Sequence, residues 1–246
     1  MDRSLRIVLW NIHRGKEHAG RQPSFLDALK AFGPIDILCL VEADRDWPSC
    51  RGFLDLAAIA RETGLRRPDG HPRTGDVSDG FLGLLCLVSP RVSIVSSSAF
   101  DLPSFREPRG LVIQEVDTPG GRFCLGLTHL SLELGLRCFQ ARAVRRILGA
   151  KSDGERVVLA GDFNEWAPFS PALRVFSAEC RQLRRPSFPA ALPLLHLDRI
   201  IAWPGVSLTP EPIRRGDFAH LSDHLPLVGR LTLRAPFPAS PMPRAV

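Results

Sequence analysis

The sequence predicts a protein of the α/β class, and three observations support this. Short apolar runs of strand length recur along the 246 residues. A strand, a helix and a second strand follow one another within about 38 residues near the start. Several apolar runs end on an acid, an amide or an imidazole, as in open α/β sheets whose sites lie at strand ends.

The first elements are predicted to form a right-handed strand–helix–strand unit. A strand over residues 5–10 leads to Asn11, a helix spans 23–32, and a buried strand over 35–41 ends on Glu42. A proline near the helix start and Gly33-Pro34 after its end fit these bounds. Because a crossover makes the two strands parallel, we expect Asn11 and Glu42 at the same sheet edge.

The middle of the chain is predicted to change to antiparallel strands. A helix over 53–62 and a polar surface loop over 66–79 come first. Turn residues then separate strands that we expect to form one antiparallel set, at 81–88, 92–98, 110–116 and 123–128. The last strand leads to Thr128-His129, and a helix is predicted over 136–148.

A buried strand over 157–160 precedes the most informative polar pair, Asp162 and Asn164. Side chains two residues apart in an extended chain point to the same side, although an Asx turn is the alternative explanation. Beyond it we predict a helix over 168–176 and a strand over 195–202 that contains Asp198. The stretch over 207–215 is broken by prolines, and a last strand over 225–233 follows Asp223-His224. We predict one domain over 1–234 and a frayed, Pro-rich tail over 235–246.

The composition is that of an ordinary globular protein, with 44% hydrophobic and 24% charged residues and a formal net charge of +6. Only three of the 32 basic residues are lysine. Arginine favours phosphate or carboxylate partners, although a GC-rich genome would also explain the bias. The six cysteines lack Cys-x-x-Cys spacing, and we expect them to serve as buried small hydrophobic residues. Without a signal peptide or a membrane-spanning run, we expect a cytoplasmic monomer.

The polar strand ends predict a divalent-metal site. Carboxylate and amide oxygens suit Mg²⁺ or Mn²⁺ better than zinc, and Mg²⁺ takes one or two carboxylates beside water and substrate phosphate. Two nearby histidines would suit phosphate ester hydrolysis, one stabilising charge and the other moving protons. Each residue alone also has a structural explanation, because a histidine after a strand commonly serves only as a hydrogen-bonding group.

The motifs resemble those of the endonuclease/exonuclease/phosphatase superfamily, the fold of DNase I, and especially its small bacterial members. The resemblance spans residues 5–233 and rests on motifs in family order: Trp10-Asn11-Ile12-His13-Arg14-Gly15, Val41-Glu42, Thr128-His129-Leu130, Gly161-Asp162-Phe163-Asn164, Leu197-Asp198-Arg199-Ile200 and Ser222-Asp223-His224. It implies a four-layer α/β sandwich (α+β), with two mixed β-sheets packed face to face and helices on both outer faces.

The resemblance also implies roles for single residues. Glu42 would be the principal Mg²⁺ or Mn²⁺ ligand, assisted by Asn11 and Asp223. The catalytic set would be His129, Asp162, Asn164, Asp198 and His224, in which Asp162 handles the attacking water and Asp198 supports His224. Arg109 would contact substrate phosphate, although it could equally be a solvated residue at a strand start.

Departures from the family pattern leave several points open. Val41 stands where a Gln usually precedes the metal Glu, and the expected Asn and Arg around 83–89 are missing. Either Asp76 or Asp79 could be the acid that supports His129. We expect a phosphodiesterase acting on nucleic acid, anionic phospholipid or an inositol phosphate. A non-catalytic member that binds nucleic acid or a partner is the alternative, but it would have no physical need for an acidic pocket that repels phosphate.

Overall fold

The computed structural model describes residues 3–16, 24–151, 156–167, 170–176 and 180–234, and the predicted tail lies outside them. Eleven strands are described: β1 Leu5–Asn11, β2 Ile37–Val41, β3 Leu85–Val88, β4 Ser93–Leu102, β5 Arg109–Thr118, β6 Gly121–His129, β7 Val157–Asp162, β8 Arg181–Leu183, β9 Asp198–Ala202, β10 Val206–Glu211 and β11 Leu227–Leu233. The described helices are α1 Phe25–Ala31, α2 Leu56–Thr63, α3 Leu134–Lys151 and α4 Pro171–Arg174.

The strands form two mixed sheets. The first has the order β10-β11-β1-β2-β3, and the second has the order β4-β5-β6-β7-β9-β8. One apolar cluster, which includes Leu9, Val41 and Val158, fills the space between the sheets. A second cluster contains Leu29 and Ile59 of α1 and α2 on the outer face of the first sheet. A third contains Val144 of α3 on the outer face of the second sheet.

These three apolar layers confirm the four-layer α/β sandwich, because each lies between two layers of secondary structure. Three of the helices begin at residues that favour a helix start. Ser24 and Asp27 form a capping box at α1, Asp55 caps α2, and Pro171 occupies the first turn of α4. Among the described helices, none combines the length and apolar character needed to cross a membrane.

The prediction that residues 81–88 join the antiparallel set was wrong. Only Leu85–Val88 form a strand, and β3 pairs with β2 in the first sheet. The chain turns just before β3, where Leu82 and Gly83 have φ angles of 50° and 77°. The buried Asp44 carboxylate accepts hydrogen bonds from the backbone of Gly80 and Gly83 and fixes this turn beside β2. The other three predicted strands do form one antiparallel set as β4, β5 and β6.

Three further predictions need correction in the last third of the chain. The stretch predicted to be broken by prolines contains β10, whose Pro210 lies at the edge of the first sheet, where a missing N–H is tolerated. Asp198 does not lie inside its strand, because β9 begins with it. The helix predicted over 168–176 is a single turn, Pro171–Arg174, although residues 168–169 lie outside the described part.

The loop over 66–79 contains a buried histidine that gives a first testable prediction. The ring of His71 is only 6% exposed and contacts the Leu84 carbonyl through Nε2 and the Gln114 amide through Nδ1. Burial lowers the pKa of His71 from 6.5 to about 4. Between these values the unfolded chain binds a proton that the folded chain does not, so lowering the pH favours unfolding.

We therefore expect wild-type protein to lose about 3 kcal/mol more stability between pH 7 and pH 4 than His71→Gln, which has no imidazole at this position. Urea unfolding at the two pH values measures the difference. Burial raises the pKa of Asp44 to about 6, so Asp44 shifts stability with pH in the opposite direction. This contribution is the same in both proteins and cancels in the comparison. Equal losses in the two proteins would show that His71 titrates normally.

Candidate active site

Strand ends from both sheets meet at one edge of the sandwich. Strands β1 and β2 are parallel, with Asn11 opposite Val41, which places Asn11 beside Glu42 as predicted. Strands β6 and β7 are also parallel, with His129 opposite Asp162. Strand β9 is antiparallel to β7 and begins with Asp198 opposite Asp162. A hydrogen bond from Asn11 Nδ2 to Asp162 Oδ2, 3.0 Å long, joins the two sheets here.

Close backbone packing makes this convergence possible at two glycines. A Cβ on Gly161 would lie 2.1 Å from the Thr128 carbonyl oxygen, so β7 could not pair this closely with β6 if it carried a side chain there. Gly83 has a φ of +77°, and a Cβ there would lie 3.2 Å from the Glu42 Cα. Glu42 itself has a φ of 57°, an uncommon conformation for a residue other than glycine.

Asp162 lies at the centre of the cluster and is 1% exposed. Its Oδ2 atom lies 3.8 Å from Nε2 of His129 and 3.8 Å from Nε2 of His224. Burial and the nearby Asp198 carboxylate raise the pKa of Asp162. Its Oδ1 atom accepts a 2.8 Å hydrogen bond from the backbone of Asn164, so the Asx turn considered above is present and still leaves Asp162 facing the site.

His224 is paired with Asp198. Its Nδ1 atom lies 2.8 Å from Asp198 Oδ2, and the ring of Phe188 lies 5.0 Å away, centroid to centroid. Burial alone would lower the pKa of His224, but the carboxylates of Asp198 and Asp162 outweigh it and raise the pKa to about 10. His224 is therefore a cation at neutral pH, with Nε2–H directed toward Asp162.

His129 has the opposite charge state. Burial, together with Arg109 and His224, lowers its pKa well below 6.5, so the imidazole is neutral. Its Nε2 atom accepts a hydrogen bond of 3.1 Å from the Asn164 amide, which also donates to the Leu130 carbonyl. The same Nε2 lies 4.0 Å from Glu42 Oε1. Asp162 thus has a neutral imidazole on one side and a cationic imidazole on the other.

The acid expected to support His129 is not identified by the structure. Asp79 accepts hydrogen bonds from the backbone N–H groups of Phe53 and Leu54, ahead of α2, and Asp76 is exposed. Neither is recorded as a partner of His129 within the described residues. Both candidates therefore have other surroundings, and Asp79 serves the loop that precedes α2.

Arg14 belongs to the site although no role was predicted for it from the sequence. Its Nε donates to Glu42 Oε2 at 3.1 Å, and its Nη2 lies 3.1 Å from Glu107 Oε2. Glu107 also pairs with Arg109 at 3.0 Å, and Arg14 pairs with Asp46. The only available signal was the Asn-Ile-His-Arg-Gly motif, since the acidic partners are distant in sequence. Arg14 and Arg109 line a hollow that also includes Glu42, His129 and Trp47.

Asp223 lies at the margin of the cluster. Its carboxylate is 34% exposed and lies 3.5 Å from Nδ1 of His13. The adjacent Ser222 hydroxyl donates to the backbone carbonyl of Asn11, which holds this loop against β1. The structure therefore brings Asn11, Glu42, His129 and Asp162 into mutual contact, joins Asp198 and His224 to them, and places Asp223 and Arg109 at the sides.

Two groups of side chains could hold a divalent cation. Asp162, Asp198 and His224 offer ligand atoms within 4.8 Å of one another. However, His224 Nδ1 and Asp198 Oδ2 already bond to each other at 2.8 Å, so an ion bound by all three residues would have to compete with this pair. Glu42, Asn11 and Asp223 present only hard oxygen donors besides the amide nitrogen, and Glu42 and Asp223 are open to solvent ligands. This second group fits Mg²⁺ or Mn²⁺ better.

Together, the two-sheet sandwich and the acid–imidazole cluster at its edge define a protein with the DNase I-like fold. Residues 8–224 match the sequence model of the Endonuclease/Exonuclease/phosphatase family. The chain belongs to this family, whose members hydrolyse phosphate esters, and the resemblance inferred from the motifs is confirmed.

Individual relatives agree with this assignment. The chain is 26% identical to "Uncharacterized protein YbhP" of Escherichia coli K12 over 94% of its own length and 97% of that protein. The human Nocturnin catalytic domain, solved with a bound sulfate anion, has a TM-score of 0.67 and 18% identity, covering 95% of this chain and 96% of that one. D. rerio TDP2, solved with a single-strand DNA product, has a TM-score of 0.62 and 19% identity over 94% and 100%. These structures are similar to the chain in fold.

Proposed function

We propose that this protein is a Mg²⁺- or Mn²⁺-dependent phosphodiesterase. The observation that carries the proposal is the position of Asp162, with its Oδ2 3.8 Å from a neutral imidazole and 3.8 Å from a cationic one. A carboxylate of raised pKa can accept a proton from an attacking water. A fixed cation beside it can stabilise the charge that develops on the phosphoryl oxygens.

Each residue has a role in this proposal. Asp162 orients and deprotonates the water, and Asn164 and His129, which are hydrogen-bonded to each other, bind the phosphate. His224 carries a proton toward the reacting group, and Asp198 keeps its ring in place. Glu42, Asn11 and Asp223 would hold the metal ion, which supplies Lewis-acid neutralisation of the phosphate when bound.

The charge balance beside Glu42 favours a diester over a monoester. Arg14 faces three carboxylates, those of Glu42, Asp46 and Glu107, and Arg109 shares the last of them. The positive charges of Arg14 and Arg109 are therefore already compensated by these carboxylates. A phosphodiester brings one negative charge to the site, whereas a monoester brings about two near pH 7 and meets more repulsion.

Hydrolysis of bis-p-nitrophenyl phosphate tests the proposal. We expect turnover with Mg²⁺ or Mn²⁺, loss of turnover with EDTA, recovery when metal is restored, and slower turnover of the monoester p-nitrophenyl phosphate. Rates no higher than the protein-free metal blank would contradict the proposed function. Faster turnover of the monoester than of the diester would mean that the protein is a phosphatase and not a phosphodiesterase. The cytoplasmic, monomeric state expected from the sequence also remains a proposal, and size-exclusion chromatography with light scattering tests the monomer.

A further inference from the structure

Exposed apolar side chains are concentrated around the mouth of the candidate active site. Ten large hydrophobic side chains are exposed among the described residues. Six of them lie on loops at the edge where the site residues meet, and we call these six the apolar rim: Trp47, Phe105, Leu132, Trp166, Leu192 and Leu194, with exposed fractions from 51% to 88%. Of the ten, none lies in the turns at the opposite edge, over 89–92, 118–121 and 203–205, which the structure describes.

The chain topology explains why the rim residues lie on the same loops as the site residues. Leu132 follows His129 by three residues, and Trp166 follows Asn164 by two. Leu192 and Leu194 belong to the loop whose Phe188 contacts His224. That loop is held by a hydrogen bond from the backbone of Ala190 to the Asp223 carbonyl. The rim therefore comes from several loops that each also position a site residue.

Two hollows connect the rim to the site. Trp47 shares a hollow with Glu42 and His129. Phe105 and Leu132 line a neighbouring hollow, and Arg109 lines both. Trp47, Phe105 and Leu132 therefore lie in two hollows that meet at Arg109, beside the site. Exposed apolar groups of this size cost hydration free energy and mark a surface that meets another phase or molecule.

We propose that the apolar rim inserts into the surface of a phospholipid bilayer and that the phosphodiester hydrolysed is that of a phospholipid head group. The choice of substrate rests on the proposed function, whereas insertion does not. A bilayer interface accommodates leucine and phenylalanine in its acyl boundary and tryptophan at the head-group level. The net charge of +6 and exposed arginines beside the rim, Arg45 and Arg106, attract anionic head groups.

Single-stranded nucleic acid fits the rim less well. Its bases bind by stacking on aromatic faces, and three of the six rim residues are leucines, which offer no such face. Leucines protruding beside a polyanion would remain hydrated, whereas all six side chains lose water on insertion into lipid. The mixture of aliphatic and aromatic residues therefore favours the bilayer.

The four tryptophans provide a direct measurement of insertion. Trp10 and Trp203 are buried, so a change in emission on adding lipid reports on Trp47 and Trp166. We expect a blue shift with phosphatidylcholine vesicles that contain phosphatidylglycerol, and co-sedimentation with them. Phe105→Ser with Leu132→Ser should lower the vesicle partition coefficient by roughly tenfold or more, since two large apolar side chains leave the interface.

A matched pair of exposed apolar residues away from the rim serves as control. Phe139 lies on α3 and Val95 on β4, at 63% and 49% exposure, so Phe139→Ser with Val95→Ser should keep wild-type partitioning. Absence of vesicle binding by wild type would overturn the proposal, as would equal losses in both double variants. Binding of single-stranded oligonucleotides that depends on the rim, without vesicle binding, would overturn it in favour of nucleic acid. Vesicle binding without any turnover of bis-p-nitrophenyl phosphate would support membrane insertion by the rim and contradict the phosphodiesterase function. The failure of one proposal can therefore be told apart from the failure of the other.

Discussion

Replacement of His224 by glutamine is expected to lower kcat for bis-p-nitrophenyl phosphate by roughly 10³-fold. The wild-type imidazolium has two acidic partners, Asp198 at 2.8 Å and Asp162 at 3.8 Å, which hold its proton at neutral pH. Glutamine can keep a hydrogen bond to Asp198, but it brings no positive charge and cannot transfer a proton. The expected loss therefore lies in kcat, with KM changed much less.

A double-mutant comparison distinguishes a catalytic effect from a structural one. Asp198→Asn removes the charge that holds His224 protonated, so it should also lower kcat strongly. If the two residues act as one unit, the double variant should be little slower than His224→Gln alone. His220→Gln, four residues earlier in the same loop, is the control and should keep near wild-type kcat. Additive losses would show that the two residues act independently, and a His224→Gln variant as active as wild type would show that His224 does not act in catalysis.

Replacement of Glu42 by glutamine is expected to lower kcat/KM by roughly 10³-fold at fixed metal concentration. Glu42 Oε2 is held by Arg14 at 3.1 Å, which leaves Oε1 beside Asn11 and His129 as the oxygen available for a metal ion. Glutamine keeps the shape of the side chain but removes the charge. We therefore expect the Mn²⁺ concentration that gives half-maximal rate to rise, and added Mn²⁺ to restore part of the activity.

Glu115→Gln provides the matched control for this variant. Glu115 lies on the surface of β5, where it pairs with Arg122, and its side chain is 45% exposed. Its removal should leave the Mn²⁺ dependence unchanged. If Glu42→Gln lost activity with an unaltered Mn²⁺ dependence, Glu42 would serve the site in some way other than metal binding.

Much of the fold was predictable because its strands are short, apolar and buried. The parallel pair of β1 and β2 followed from one crossover, and that pair fixed the neighbouring positions of Asn11 and Glu42. The pairing of β3 was not predictable in the same way, because its apolar pattern suits either sheet. Contacts from the distant Asp44 decide where the chain turns before β3. Strand β8 has only three residues and gives almost no periodic signal.

The candidate site was predictable where residues follow strands and unpredictable where they depend on long-range pairing. Asp162 and His129 are the last residues of buried strands, and the register of those strands brings them together. Arg14 and Glu107 are 93 positions apart and meet only because the β4–β5 loop lies over the end of β1. The charge states of the two histidines also depend on burial and on neighbours from other strands, which sequence spacing does not reveal.

The central claim is that a divalent cation binds at the Glu42 side of the cluster while His224 and Asp198 remain a hydrogen-bonded pair. A crystal structure with Mn²⁺, read by anomalous diffraction, tests this most directly. We predict a Mn²⁺ peak about 2.1 Å from a Glu42 carboxylate oxygen, at the bond length typical of small hard cations. A peak bound by Asp162, Asp198 and His224, with the Glu42 carboxylate unoccupied, would contradict this account of the site.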